Sequence, residues 1–362
     1  MDMILFMTRE CTLKCHYCYV EHKYDSFMSR DVALKAADLF VKENSERAKF
    51  SFFGGEPLLQ FELIKEITEY VVKIADKKGF APHLSIATNG TLINEEVLDF
   101  FEKYKFRVEL SLDGDEFSHN LNRPMRDGGN SYRSVVRNLA ALKKRAGHLA
   151  VVGVITPLTS AHIAENAKHV MDELNINSYI MAADYTAPWT EDDLSKVIEQ
   201  FLILEEWYLA KSRNGDSFYF SAFDAHIAAH IKGGFKPGDF CDVGRKICAV
   251  GEDGRIFPCV RFAGKPERAA NYVLGDVNSG FDWKKCSEVS TENHSPRTQC
   301  SDCSLDGRCI TYCPCLNWDT TGSMTQVPGI LCAFESMVIP VADRIARTLF
   351  KEKNRSFMKK HY

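Results

Sequence analysis

From residue 3 to about 210 the chain alternates short apolar runs with longer amphipathic stretches, and this alternation leaves few folds open to it. Strands are predicted over residues 4–7, 50–53, 84–88, 108–112, 150–155 and 179–182. Helices are predicted over 29–43, with Ser29 as N-cap, and over 61–77, 94–104, 132–144, 163–174 and 190–211. Strands separated by helices pair in parallel through right-handed crossovers, so the predicted class is α/β, a partial (β/α)6 TIM-like barrel. Ligands of such a sheet bind at the carboxyl ends of its strands, where the polar motifs of this sequence fall.

The 13 cysteines are unevenly spread: three lie between residues 11 and 18, none between 19 and 240, and ten between 241 and 332. A chain of 362 residues builds a core that needs no disulfide staples, so this distribution reads as two separate metal-binding regions. Residues 1–9 show no basic n-region or small-residue cleavage site, and no stretch approaches the ~20 apolar residues of a membrane span. The expected location is cytoplasmic, without membrane association. Lys and Arg are dispersed at a net charge of −4, which leaves no basic stripe and predicts no nucleic-acid partner. The predicted organisation is a barrel over 1–232, a cysteine-rich domain over 233–350 and a basic tail over 351–362. Residues 232–238, with three glycines and a proline, read as the linker, and 333–350 as a helix closing the second domain. In the tail, Lys351, Lys353, Arg355, Lys359 and Lys360 read as a solvated helix end.

Cys11, Cys15 and Cys18 form C-x3-C-x2-C directly after the first strand. A structural zinc site is closed by four protein ligands. Three thiolates on one short loop suit a [4Fe–4S] cluster whose fourth iron stays open, although three free or zinc-bound thiols are the plainer alternative. An open iron can take the amine and carboxylate of S-adenosylmethionine (SAM). With this loop the chain resembles the radical SAM superfamily, and Tyr17, before the third cysteine, matches the aromatic that packs near the adenine in that family. The resemblance covers residues 3 to about 182 and implies reductive cleavage of SAM to a 5′-deoxyadenosyl radical. It also implies a low-potential electron donor such as flavodoxin or ferredoxin.

Later strand ends add candidate SAM contacts. Gly54-Gly55-Glu56 follows strand 2: the glycines permit close backbone approach, and the Glu56 carboxylate can accept from SAM's ammonium group. Asn89 after strand 3 and Ser111 at the end of strand 4 offer polar groups to the ribose and carboxylate, and Arg123 can pair with a carboxylate. Ordinary turn chemistry also explains Asn89-Gly90 and Asp113-Gly114.

Cys300-x2-Cys303-x5-Cys309-x3-Cys313, followed by Cys332, is a strong metal-binding string, and spacing alone leaves zinc open. Upstream, 252–255 reads as a hairpin turn that brings Cys248 and Cys259 together, with Cys241 before them. This segment resembles a SPASM domain, which implies two auxiliary clusters and three [4Fe–4S] clusters in all. The resemblance assigns Cys241, Cys248, Cys259 and Cys313 to the first auxiliary cluster, and Cys300, Cys303, Cys309 and Cys332 to the second. Cys286 and Cys315 are left as buried or idle thiols, with Cys315 an alternative to Cys313.

Enzymes of this kind modify peptide or protein substrates. In the sulfatase-activating group an aspartate, assigned as the base, follows the third SPASM cysteine, and here that place is Val260. The first expectation is therefore a maturase of ribosomally made peptides, installing a thioether or carbon–carbon link. Anaerobic sulfatase maturation, which makes formylglycine, is the alternative; a non-enzymatic iron–sulfur electron carrier is a minor one. The barrel begins near residue 1, so leader recognition would need another surface or a separate leader-binding protein. No general base is identified; Asp184, Tyr185 and His226 lie near or beyond the sixth strand.

Overall fold

The computed structural model describes residues 1–21, 26–44, 46, 48–236 and 239–361; Pro237 and Gly238 of the linker lie outside them. In chain order it has β1 (Asp2–Phe6), α1 (Arg30–Glu43), β2 (Lys49–Phe53), α2 (Phe61–Lys77), β3 (His83–Thr88), α3 (Glu95–Lys103), β4 (Arg107–Ser111), α4 (Glu116–Asn122) and α5 (Tyr132–Arg145). Then come β5 (His148–Ile155), α6 (Ile163–Lys168), β6 (Ser178–Ala183), α7 (Glu191–Asn214), β7 (Tyr219–Phe220) and α8 (Ser221–Lys232). The remainder holds β8 (Ile247–Val250), β9 (Arg255–Phe257), α9 (Val260–Ala263), β10 (Gly275–Asp276), β11 (Gly280–Phe281), α10 (Trp283–Asn293), α11 (Pro314–Thr321), α12 (Gly329–Lys351) and α13 (Arg355–His361).

The class is α/β with a parallel sheet, and the elements fall into two compact units. The first comprises Met1–Ser111, Arg123–Leu149 and Cys241–Ser295. Its strands run in the order β11-β10-β9-β8-β1-β2-β3-β4, parallel from β8 through β4 and antiparallel from β8 out to β11. Helix starts follow local capping: the Ser29 side chain accepts from Val32 N and the Asn94 side chain from Val97 N. α2 buries Ile64, Ile67, Val71 and Ala75, one face at helical spacing. Against the sheet, Phe50, Phe52 and Phe106 are fully buried, with ring centroids 5.6 and 6.1 Å apart along that series.

The second unit comprises Leu112–Asn122, Ala150–Phe240 and Pro296–Tyr362. Here β5, β6 and β7 pair in parallel, and α7 opens with a Thr190–Asp193 capping box. The single helix expected over 163–174 is three pieces: a 3-10 turn at Pro157–His162, α6, and a wider turn closed by Leu174 N donating to His169 O (2.9 Å). In the basic tail Lys351, Lys353, Arg355 and Lys359 are exposed as expected, and Lys360 alone reaches inward. Buried Asp224, which accepts from Tyr208 Oη and Phe220 N (both 2.6 Å), needs a countercharge, and Lys360 of α13 supplies it at 2.5 Å while Phe357 buries alongside. Among the described residues no helix is long and apolar enough to cross a membrane.

Candidate functional site

The parallel register of the first unit aligns the strand ends. Phe6 pairs with Phe53, Phe52 with Ile86, and Thr88 with Leu110, so the segments that follow β1, β2 and β3, and the end of β4, lie along one edge. The cysteine loop, Gly54-Gly55-Glu56, Asn89 and half-buried Ser111 therefore share that edge. The loop itself is held by a short ladder to the segment after Arg123. Lys14 N donates to Pro124 O (2.9 Å) and Arg126 N to Thr12 O (3.0 Å). This ladder sets the Arg123 guanidinium 5.1 Å from the Tyr17 ring centre.

The two glycines fasten β2 to the loop. Gly55 N donates to Thr8 O (2.7 Å) and Glu56 N to Glu10 O (2.8 Å). A side chain has no room at either: a Cβ on Gly55 would stand 2.1 Å from Glu10 O, and one on Gly54, at φ 143°, 2.4 Å from Thr8 O. Gly55→Ala is expected to destabilise the protein by about 1–3 kcal/mol as the loop is pushed aside. Urea unfolding checks this, and an unchanged midpoint would show that the loop yields freely.

Glu56 differs from the carboxylate expected to greet SAM's ammonium group. It is fully buried, and its oxygens accept from Leu58 N (3.1 Å), Thr88 Oγ1 (2.7 Å) and Asn89 N (2.8 Å). Its role in the chain is to tie β2 to β3, and burial pushes its carboxyl up to about 7. Asn89 then ties β3 to the cysteine loop: its Nδ2 donates to Thr12 Oγ1 (3.0 Å) and approaches Cys11 Sγ (3.5 Å), and its Oδ1 accepts from Thr91 N (2.9 Å). The Cys11 thiol is pushed up to about 12, by burial first, then by the Glu56 charge, with Cys15 and Cys18 near enough to add. Thiols so crowded ionise together only against a cation, which is what an iron–sulfur cluster provides. Among the described residues no three His, Cys, Asp or Glu side chains converge as the ligands of a single ion do. The corners of a cubane are spaced more widely, so the fit rests on the donor set, which matches it.

One contact had no signal in the sequence. Arg9, two residues before Cys11, is buried and meets Glu252 of the β8–β9 turn at 2.6 Å; Glu252 also accepts from Ser26 Oγ (2.9 Å). Tyr19 was equally silent: the Arg261 guanidinium lies 4.6 Å from its ring centre.

In the second unit, Cys300, Cys303, Cys309 and Cys332 lie within electrostatic reach of one another. Burial raises Cys309, then Glu335, then Cys303, Cys332 and Cys300; burial raises Cys332, then Cys303. Cys313 packs instead against the apolar group of Cys300, Leu316, Val327 and Leu331. The candidate bases are engaged elsewhere. His226 is buried with Nε2 3.7 Å from Glu335 Oε1, and burial pulls it down to about 4. Asp184 Oδ1 accepts from Thr186 N and Oγ1 (3.0 and 2.6 Å), and the Tyr185 ring stands edge-on to Phe334 at 5.7 Å. In the first unit the hairpin pairs β8 with β9, so Cys248 runs opposite the segment that leads from Phe257 to Cys259; Cys248 is buried, Cys241 exposed and Cys259 half-exposed. Cys286 and Cys315 are both buried.

Known proteins resemble the chain in sequence and in fold. Residues 5–170 match the Radical SAM superfamily. The chain is 30% identical over 320 residues to a cysteine-type anaerobic sulfatase-maturating enzyme of Clostridium novyi, covering 83% of this chain and 81% of that protein. It is 22% identical over 331 residues to the radical SAM cyclopropyl synthase TigE of Paramaledivibacter caminithermalis, covering 85% and 66%. The solved structure of native anSMEcpe with bound AdoMet and Kp18Cys peptide superposes with a TM-score of 0.79 over 96% of this chain and 99% of that one, at 22% identity.

Proposed function

The chain belongs to the radical SAM superfamily, among maturases related to the anaerobic sulfatase-maturating enzymes, and on that premise we propose that it modifies a residue of a ribosomally synthesised peptide by a thioether or carbon–carbon link. Membership implies a [4Fe–4S] cluster and SAM, which when bound supply a 5′-deoxyadenosyl radical for hydrogen abstraction. Cys11, Cys15 and Cys18 would hold that cluster. Gly54 and Gly55 bring the β2 backbone against the loop, Glu56 and Asn89 lock the strand ends, and Tyr17 with Arg123 presents an aromatic face and a cation beside it. Ser111 adds a hydroxyl at the end of β4. The C-terminal cysteines would carry auxiliary clusters, and a flavodoxin or ferredoxin would supply electrons.

The observation that carries the peptide reading is the residue after Cys259. Val260, at the start of α9, cannot take a proton, and its neighbour is cationic Arg261. The likeness to sulfatase-maturating enzymes favours a second reading, formylglycine formation, and one assay separates the two. Anaerobic protein with SAM and dithionite is incubated with candidate precursor peptides and with a sulfatase-derived Cys peptide. Mass spectrometry is expected to find a cross-linked product from a precursor peptide, lighter by a pair of hydrogens. Formylglycine from the sulfatase peptide instead would overturn the first reading.

A further inference from the structure

Lys and Arg are dispersed over the chain as a whole, but residues 123–145 hold seven of them against one acidic residue, Asp127. α5 itself carries five basic residues and no acid. Its core face is Val135, Leu139 and Leu142, at helical spacing. Half-way round the helix from these lie Arg133, Arg137, Ala140 and Lys144, and all four are exposed. Arg145 turns aside to α3, where it meets Glu95 and Glu102 at 2.9 and 2.8 Å. The outer face works against the helix that bears it. Arg133 and Arg137 are like charges one turn apart, and Arg133 sits in the first turn, where the helix dipole favours an acid and α5 has none. On α1, by contrast, Asp31 and Lys35 are one turn apart and close a pair at 2.6 Å. Local choices that oppose the element they sit on are expected at functional surfaces.

This face begins beside the cysteine loop. The ladder from Lys14 N to Pro124 O and from Arg126 N to Thr12 O ties the segment before α5 to that loop, and Asn138 Nδ2 donates to Gly90 O (2.8 Å) after β3. Lys14, Cys18 and Arg126 are exposed. The acids close by are Glu10, 4.0 Å from Arg126, and Asp127, whose Oδ1 accepts from Gly129 N (2.9 Å). We propose that the outer face of α5, with Lys14 and Arg126, is the docking surface of an acidic redox protein that reduces the cluster of the N-terminal cysteines. This rests on the proposed supply of electrons by a flavodoxin or ferredoxin. The donor gives up one electron, the cluster takes it, and no bond is made or broken. Opposite charge speeds the encounter and fixes its orientation, and a cysteine loop at the surface keeps the electron's path short.

The test uses the full chain, reconstituted anaerobically, and a flavodoxin of net negative charge. Binding is followed by flavin fluorescence without SAM. Reversing two charges, Arg137→Glu with Lys144→Glu, is expected to weaken binding about tenfold at low salt, and wild-type binding is expected to weaken steeply as salt rises. Reduction is read separately as 5′-deoxyadenosine formed from SAM. With sub-saturating flavodoxin the variant is expected to lose about tenfold in rate, and far less with dithionite, which needs no docking. Wild-type affinity in the variant, or binding that ignores salt, would overturn the inference. Equal losses with the two reductants would do so too, as would tighter binding of a short DNA duplex than of flavodoxin by the wild type, which would make this a nucleic-acid surface. If urea unfolding shows the double variant misfolded, Arg137→Gln alone carries the same test with a loss of about threefold. Flavodoxin that docks here while no peptide is modified would leave this inference standing and remove the peptide reading, so the two failures are distinguishable.

Discussion

Cys11→Ala is expected to lower the iron content by about four per chain and to end 5′-deoxyadenosine production from SAM. The thiol lies where three fixed segments meet: the β1 loop that carries it, the β2 glycines against that loop, and Asn89 from β3, whose Nδ2 is 3.5 Å from its sulfur. No neighbouring cysteine replaces it, since the loop's other two thiols would already hold the proposed cluster. The loss of cleavage should exceed the ~10–100-fold typical of removing an outer-shell partner of a metal site. Liquid chromatography of an anaerobic assay with dithionite checks it. Retention of wild-type iron and nucleoside yields would mean that the cluster is held elsewhere and would remove the basis of the functional reading.

Arg9→Ala is expected to produce the largest loss of stability of any single change near the site. It strands the Glu252 carboxylate, which is mostly buried and paired with Arg9 at 2.6 Å. Breaking one side of a buried pair costs about 3–5 kcal/mol, because the remaining charge keeps its desolvation penalty. That is a large part of the ~5–15 kcal/mol by which proteins are usually stable. The double variant Arg9→Met with Glu252→Gln should recover much of the loss, since both charges are then gone. Denaturant midpoints for the two singles and the double close a cycle. Additive losses, with no recovery in the double, would show that the pair is not coupled.

The strands and caps of the first unit were legible because local signals and tertiary packing agree there. Ser29 caps where predicted, α2 occupies the predicted 61–77, and the helix expected over 94–104 spans Glu95–Lys103. Agreement ended where a side chain's fate depends on a distant partner. α8 carries buried Asp224 and His226, and their partners Tyr208, Lys360 and Glu335 come from other segments. The hairpin at 252–255 was recognisable from Glu252-Asp253-Gly254, yet its register was not, and register alone decides which face Cys248 takes. Glu56 was readable as a candidate site residue, but its own partners were not. Sequence shows a carboxylate after two glycines; only the fold shows three of the chain's own donors arriving on it.

The first strand is completed late. One edge of β1 pairs with β2, but the other pairs with β8, Met3 beside Cys248, about 245 residues downstream. A ribosome adding ~5–20 residues per second needs on the order of 10–50 s to cover that interval. During it the strand leading into the cysteine loop has an unpaired flank. Iron delivered before β8 is made would meet thiols on unfinished scaffolding, so cluster insertion is best timed after β8 has paired with β1, and slowing translation before that point should favour aggregation of this protein over its maturation.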